Sequence, residues 1–368
     1  MEPVKDPLRH SPLEEEHREL GAKLGPFGGW LMPIEYDGVL AEHRAVRERV
    51  GLFDLTHLGK VDVRGPGGFE VLQRTLSNDI SRIPVGRAQY NLVLNDRGGI
   101  EEDLIVYHLA AERWFVVPNA SNTDMVVGLL RDAAGGGDVE PHQDWCFLGV
   151  QGPAALETVG TLFPAAADLP FMGCTEVAFQ DVPVVLTRSG YTGELGFELF
   201  AEAELAPALW DELTDVGAAF GAEACGLGAR DVLRLEMGYP LYGQDLGPER
   251  TPLEAGLGWA VALDKPDLRG RVALERQREN GPPSRLRGLV TDERRHIPRA
   301  HLDVLSGGDV VGEVTSGTFS PILGRGIGMA YLAPRDRFQP GSAVEVDIRG
   351  RAAPARVVTP PFVDRNPR

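Results

Sequence analysis

Apolar and polar positions change period several times along the chain. "SPLEEEHRELGAKLG" predicts a short helix, with Ser11 as N-cap, Pro12 in the first turn and Glu14 completing a capping box. "YDGVLAEHRAVRERVG" predicts a second, with Val39, Leu40, His43 and Val46 on one side and Gly51 as its stop. "KVDVRG" then alternates as a half-exposed strand does, and "GGFEVLQRTLSND" returns to helical spacing. "LVLNDRGGIEEDLIVYHLAAERWFVVPNAS" predicts three strands and two turns. Strand and helix patterns continue in mixed order to residue 235. The clearest amphipathic helix is "AELAPALWDELTDVGAAFG", with Leu205, Leu209, Leu213 and Val216 on one face.

Residues 1–10 are polar and are expected to fray. A boundary falls at "RENGPPSRL", residues 278–286, after the helix-like "RVALERQREN". Beyond it only strands and turns remain: "RLRGLVT", "LDVLSGGDVVGEVTSGTFSP", "GIGMAYL", "AVEVDI" and "RAAPARVVTPPF". Short strands at close spacing predict a small antiparallel barrel or sandwich. The pattern as a whole is α+β followed by all-β, divided into 1–277 and 284–368, with no internal repeat.

At 368 residues the chain can build two or three domains and a large core. Its net charge of −17 disfavours nucleic acid as a partner, which needs a basic field. The charge is uneven. Residues 265–368 carry 18 Lys/Arg against 12 Asp/Glu, a net of +6, which leaves −23 on residues 1–264. That basic segment is either composition drift or a landing surface for an acidic partner or anionic substrate. Cys146, Cys174 and Cys225 are odd in number and far apart, so they read as small buried hydrophobes and not as a disulfide or zinc framework. No segment is apolar enough to span a membrane, and "MEPVKDPLRHSPLEEE" lacks the apolar core of a secretory signal. A cytoplasmic location is the expectation.

Common catalytic frames are missing: no phosphate-binding G-x-x-x-x-G-K-[ST], no G-x-G-x-x-G, no H-E-x-x-H and no G-x-S-x-G. The eight histidines lack metal-ligand spacing, so no metal is expected. His57 in "DLTHLG" is open to two readings, a catalytic base or a hydrogen-bonded histidine at a strand edge. What remains is carboxylates, aromatics and glycines.

In "GGIEEDLIVYHL" a strand begins near Ile100, and alternation puts Glu101, Asp103, Ile105 and Tyr107 on one face. Glu102, Leu104, Val106 and His108 take the other. If the following loop is Ala110–Glu112, Tyr107 pairs with Phe115 and Asp103 with Asn119. A carboxylate, a phenol and a carboxamide would then share one face. The alternative is that these acids form a solvated strand entry. In "TRSGYTGELGFEL", Gly190, Gly193 and Gly196 imply a tightly folded loop around Tyr191 and Glu194, and Glu198 interrupts an apolar strand. In "CGLGARDVLRLEMGYPLYGQDL", Arg230 falls in the first turn of a helix, where it opposes the helix dipole. An anion partner and a structural salt bridge explain it equally.

Ten collinear blocks together resemble the aminomethyltransferase (T-protein) family of the glycine cleavage system: "FGGWLMPIEY", "GLFDLTHLGKVDVRG", "LNDRGGIEEDLIVY", "VVPNASN", "VQGP", "RSGYTGELGFEL", "CGLGARDVLRLEMGYPLYGQDL", "PLEAGLGWAV", "VTSGTFSP" and "IGMAYL". The resemblance implies a three-lobed α+β fold, two lobes within 1–277 and a C-terminal antiparallel β-barrel, with tetrahydrofolate in a central hole. By the family's pattern Asp103 is the acid implicated in transfer. Glu102 stands where the family usually has Asp. The resemblance also carries Tyr90, Tyr107, Asn119, Tyr191, Glu198 and Arg230 over as folate-binding positions. Thr56, His57 and Leu58 replace the usual Ser-His-Met and keep a hydroxyl and an apolar side chain.

The implied chemistry suits these residue types. A buried glutamate can accept two N–H groups of a reduced pterin in a bidentate pair, the role implied for Glu198. An aspartate near the N5/N10 side can relay a proton and stabilise cationic character, the role implied for Asp103. The implied donor is the aminomethyl-loaded lipoyl arm of the carrier (H) protein, and the basic C-terminal segment is its expected docking surface. A folate-dependent demethylase on the same scaffold, a non-catalytic folate-binding module and the folate half of a flavin-linked amine oxidoreductase are the competing readings. The last would need a dinucleotide-binding domain for which the chain has no motif.

Overall fold

A computed structural model describes residues 7–134 and 138–367. The strand β1 (Arg9–His10) pairs in parallel with Trp30–Leu31, so the part of the expected frayed terminus that is described is held; residues 1–6 lie outside the described residues. Helix α1 (Glu14–Glu19) follows, but the expected capping box does not form. Ser11 lies outside the helix and donates instead to the buried Asp54 carboxylate (2.5 Å), which also bonds His17 Nε2 (2.9 Å). A buried carboxylate in need of donors outcompetes a local cap.

The chain continues through β2 (Lys23–Phe27), β3 (Trp30–Glu35), α2 (Val39–Glu48) and β4 (Val50–Asp54). Two expectations fail here. Leu40 faces solvent, and α2 buries Glu42, His43, Ala45, Val46 and Arg47. Gly51 lies inside β4, where a Cβ would meet Val46 Cγ2 at 2.5 Å. The inaccessible Glu236 holds His43 (2.9 Å) and Arg47 (2.8 Å) inward, which leaves Leu40 on the outer face of the helix.

Next come β5 (Val61–Arg64), α3 (Gly68–Thr75), β6 (Arg87–Leu94), β7 (Ile100–Ala110), β8 (Arg113–Val117), α4 (Thr123–Ala134) and β9 (Asp138–Pro141). The strands β6-β7-β8-β5-β9 form one half-sheet, covered on one face by α3 and α4 through a core that includes Val61, Leu72, Leu104, Val106, Val126 and Leu130. The second half-sheet uses β10 (Trp145–Gln151), β11 (Gly173–Phe179), β12 (Val182–Arg188), β13 (Gly196–Glu202) and β14 (Ala222–Ala224). Its order is β14-β4-β10-β13-β12-β11, and α5 (Ala155–Leu162) and α6 (Ala206–Ala218) cover it, with Leu209 and Leu213 buried. The halves join edge to edge through a single register pair, Gly173 with Arg87. That thin seam lets the combined sheet fold over. Three strands separate β7 from β13, yet their side chains touch. Phe115 and Phe200 meet edge-on at 5.0 Å, and Phe147 packs on Phe200 at 4.1 Å.

Helix α7 (Leu227–Glu236) runs from this junction toward the last lobe. After α8 (Pro252–Ala255) and α9 (Arg271–Asn280), a closed barrel forms from β15 (Arg285–Thr291), β16 (Asp303–Ser306), β17 (Asp309–Ser320), β18 (Arg325–Leu332), β19 (Ala343–Asp347) and β20 (Ala352–Val358). Its order is β15-β18-β17-β16-β19-β20, antiparallel throughout. Leu235 of α7 packs on Ile327 and Met329 of the barrel. The architecture is therefore α+β with three lobes, the last a β-barrel.

Candidate active site between the lobes

The alternation along β7 is as the sequence predicts. Glu102, Leu104 and Val106 are buried toward the helices, and Asp103, Ile105 and Tyr107 face the other half-sheet. The hairpin to β8 differs in detail. Its loop is the two residues Ala111 and Glu112, and a bulge at Leu109 absorbs the change, so that Ala110, not Leu109, faces Arg113. Beyond the bulge Tyr107 still pairs with Phe115. Asn119, two residues past β8, donates from Nδ2 to Asp103 Oδ1 (2.9 Å). Tyr90 of β6 donates its phenol to Asp103 Oδ2 (2.9 Å). Burial pushes the Asp103 carboxyl up to about 6, with the Tyr90 and Asn119 hydrogen bonds pulling it back.

A second acid sits on the facing half-sheet. Glu198 of β13 is buried, and its Oε2 accepts from Ser189 Oγ (2.5 Å) and from the Tyr107 phenol (3.1 Å). Burial raises its pKa, opposed by Ser189, then Arg230 and Tyr107. One Glu198 oxygen thus accepts from two of the protein's own hydroxyls, and among the described residues Oε1 accepts no hydrogen bond.

Arg230 and Tyr191 lie between these acids. The Arg230 guanidinium stacks over the Tyr191 ring at 4.5 Å, and among the described residues it has no ion pair. The structural salt bridge considered for it is absent. Burial lowers its pKa, and Tyr191 and Glu198 offset that. Tyr191 in turn stacks on Tyr239 (5.6 Å) and donates its phenol to Pro240 O. Burial raises the Tyr191 pKa; Arg234 and Arg230 oppose the rise and Asp103 adds to it, so the phenol senses both groups.

The loop bearing Tyr191 closes around Gln151 of β10. A Cβ on Gly190 would come within 2.0 Å of Gln151 Oε1, and one on Gly196 within 2.3 Å of Nε2. Gln151 is buried and bonds Ser189 O (3.2 Å) and Thr192 Oγ1 (2.9 Å). Gly196→Ala is therefore expected to destabilise the fold by about 1–3 kcal/mol through overpacking, read by urea unfolding. A stability unchanged from wild type would show that the loop does not need this close approach.

His57 is buried, among the described residues its Nδ1 has no hydrogen-bond partner, and the ring of Phe27 meets it edge-on at 5.2 Å. Burial, with the Arg230 charge second, pushes its pKa down to about 3, which makes it a poor base near neutrality. Among the described residues no group of His, Cys, Asp or Glu is arranged to hold a metal ion. Sequence reasoning missed two members of the site. Ser189 carries no signal beyond its place beside Gly190. Trp259 is 65% exposed and lies over the Tyr90 ring at 5.4 Å. The capping box of α8, from Thr251 and Glu254, sets up the turn that presents it.

Comparisons with known proteins agree along the whole chain. Residues 13–265 match the GCVT N-terminal domain, and residues 285–364 match the glycine cleavage T-protein C-terminal barrel domain. The chain is 51% identical over 367 residues to an aminomethyltransferase of Frankia alni, covering 98% of this chain and 99% of that one. It is 46% identical over 358 residues to an aminomethyltransferase of Mycobacterium tuberculosis, covering 97% of each. The crystal structure of glycine cleavage system aminomethyltransferase T from Bartonella henselae superposes with a TM-score of 0.91 at 35% identity, covering 98% of this chain and 99% of that one. With relatives at this identity over both α+β lobes and barrel, the chain belongs to the aminomethyltransferase (T-protein) family of the glycine cleavage system.

Proposed function

We propose that the protein takes the aminomethyl group from the lipoyl arm of a carrier (H) protein, releases ammonia and forms 5,10-methylenetetrahydrofolate. The observation that carries this reading is a set of polar groups between the two half-sheets: Glu198, with only Oε2 taken by the protein's hydroxyls, the Arg230 guanidinium over Tyr191, and Asp103 held by Tyr90 and Asn119. Tetrahydrofolate fits that set. Its pterin edge donates N–H groups that Glu198 can accept, and its rings can lie against Tyr90, Tyr191 and Trp259. The folate supplies the nucleophilic nitrogen. Asp103 accepts or returns a proton beside it, Tyr90 and Asn119 hold that carboxylate in place, and Tyr107 with Ser189 orients Glu198. The chain works in this reading as two units, 1–277 and 284–368, in the cytoplasm and without a metal.

The deciding assay measures ammonia and methylenetetrahydrofolate from aminomethyl-loaded carrier and tetrahydrofolate. No product from the wild-type protein, despite tight folate binding, would end this reading. Docking of the carrier belongs on the basic face of the barrel lobe. There a groove of about 430 Å³ separates α2 from the barrel and is lined in part by Arg44, Arg47, Arg294, Phe319 and Arg365. Charge reversal at Arg294, Arg295 and Arg299 is expected to raise the carrier's KM about tenfold or more while kcat stays close to wild type. An unchanged KM would place the docking surface elsewhere.

A further inference from the structure

Glu102 lies on the face of β7 opposite Asp103 and is 0% exposed, yet among the described residues every hydrogen-bond partner of its carboxyl is an N–H group from the turn that follows β8. Oε1 accepts from the backbone N and the Nδ2 of Asn119, both at 2.7 Å, and Oε2 accepts from Asn122 Nδ2. The Asn119 amide therefore sits between two carboxyls. Its Nδ2 gives one hydrogen to Glu102 and the other to Asp103. The opposite orientation would press its carbonyl oxygen against two carboxyl oxygens, so the donors fix which way the amide faces. Asn119 Oδ1 is left turned out of the pair, and among the described residues it accepts no hydrogen bond.

We propose that Glu102 is a positioning residue for the transfer reaction: by clamping Asn119 it holds Asp103 in place and presents Asn119 Oδ1 as an acceptor for an N–H of a bound co-substrate. This rests on the aminomethyltransferase reading. Glu102 touches neither co-substrate and acts only through the shared amide. Two carboxyls bridged by one amide also cannot ionise independently. Burial pushes Glu102 up to about 8, with the Asp103 charge adding to the rise, so the pair gives up its protons in two separated steps.

The test compares Glu102→Gln, Glu102→Asp, Asn119→Ala and the Glu102→Gln/Asn119→Ala double variant. In Glu102→Gln the carbonyl can keep the Asn119 donors, but the new N–H₂ faces the Asn122 donor and pushes the turn that carries Asn119 outward, so the clamp loosens. Its kcat is expected to fall about tenfold to a hundredfold, with the tetrahydrofolate KM within about threefold of wild type. Glu102→Asp is expected to restore most of the loss. On the Asn119→Ala background the Glu102→Gln change should cost nothing further, because its effect runs through that amide. Asn119→Ala itself should raise the KM of whichever co-substrate donates to Oδ1, which separates the pterin N–H from the ammonium of the carrier arm. A second readout uses the protein alone: infrared titration of the protonated-carboxyl band should show one ionisation fewer in Glu102→Gln than in wild type, where Glu198 also contributes. Additive losses in the cycle, or a Glu102→Gln protein that keeps every wild-type ionisation, would overturn the proposal. If Glu102→Gln does not fold, Asn119→Ala carries the infrared test, since loss of the shared donor should raise both steps; unchanged steps would overturn it. A wild-type protein without turnover would sink the aminomethyltransferase reading while the infrared result still decides the clamp.

Discussion

Asp103→Asn should lower kcat by about a hundredfold to ten-thousandfold, the range that a positioned acid–base group supplies, while tetrahydrofolate affinity changes by about threefold or less. The substitution keeps the shape of the side chain. The carbonyl of the new carboxamide can still accept from Asn119 Nδ2, and its N–H₂ can turn toward the Tyr90 oxygen, so the pocket wall survives. Only the capacity to take a proton is lost. Wild-type kcat should rise with pH through about 6, where Asp103 ionises, and that limb should vanish in the variant. Stability should move the other way. Asp103 has a folded pKa raised above its unfolded value of about 4, so its contribution is full below pH 4 and is lost as pH rises through 6. The neutral carboxamide escapes that penalty. Asp103→Asn should therefore melt higher than wild type at pH 7–8 and lose the advantage near pH 4. Turnover retained in the variant would remove Asp103 from the chemistry.

Local periodicity made one wall of the site legible. The alternation of β7 separates Asp103 from Glu102, and hairpin pairing brings Asn119 to Asp103, because both depend on residues near in sequence. The Leu109 bulge was not legible, since a two-residue loop and a three-residue loop fit the same letters. Contacts that depend on the sheet folding at Gly173 and Arg87 left no local trace. Nothing near Tyr107 announces Glu198, which lies 91 residues away, and nothing near Arg230 announces the Tyr191 ring. The same long-range demand explains the local failures. Ser11 abandons a cap for Asp54, and α2 turns His43 and Arg47 toward Glu236, because a buried charge without donors costs more than a local preference yields. Family resemblance supplied the expected folate-binding positions, which spacing could not.

Arg234→Met should cost about 3–5 kcal/mol, the penalty for leaving a buried charge without its partner. Arg234 is 1% exposed and ties α7 to two other parts of the molecule. Its guanidinium bonds Asp245 Oδ2 (2.7 Å), Asp231 Oδ1 (2.8 Å), Tyr239 O (3.1 Å) and, in the barrel, Ser316 Oγ (2.9 Å). Asp245 is equally buried and keeps its bonds from Leu241 N (2.9 Å) and Ser316 Oγ (2.8 Å), but no cation remains beside it once Arg234 is gone. Met fills much of the volume, so the deficit is electrostatic. Asp245→Asn in the Arg234→Met background should recover part of the loss by removing the stranded charge. Function should fall with stability for a specific reason. Arg234 fixes the Tyr239 carbonyl, Tyr239 stacks on Tyr191, and Tyr191 donates to Pro240 O, so the platform under Arg230 loosens when segment 239–246 is released. Denaturant unfolding and tetrahydrofolate affinity measured on the three proteins separate these effects. An Arg234→Met protein within about 1 kcal/mol of wild type at pH 8 would show that the lobes do not depend on this junction.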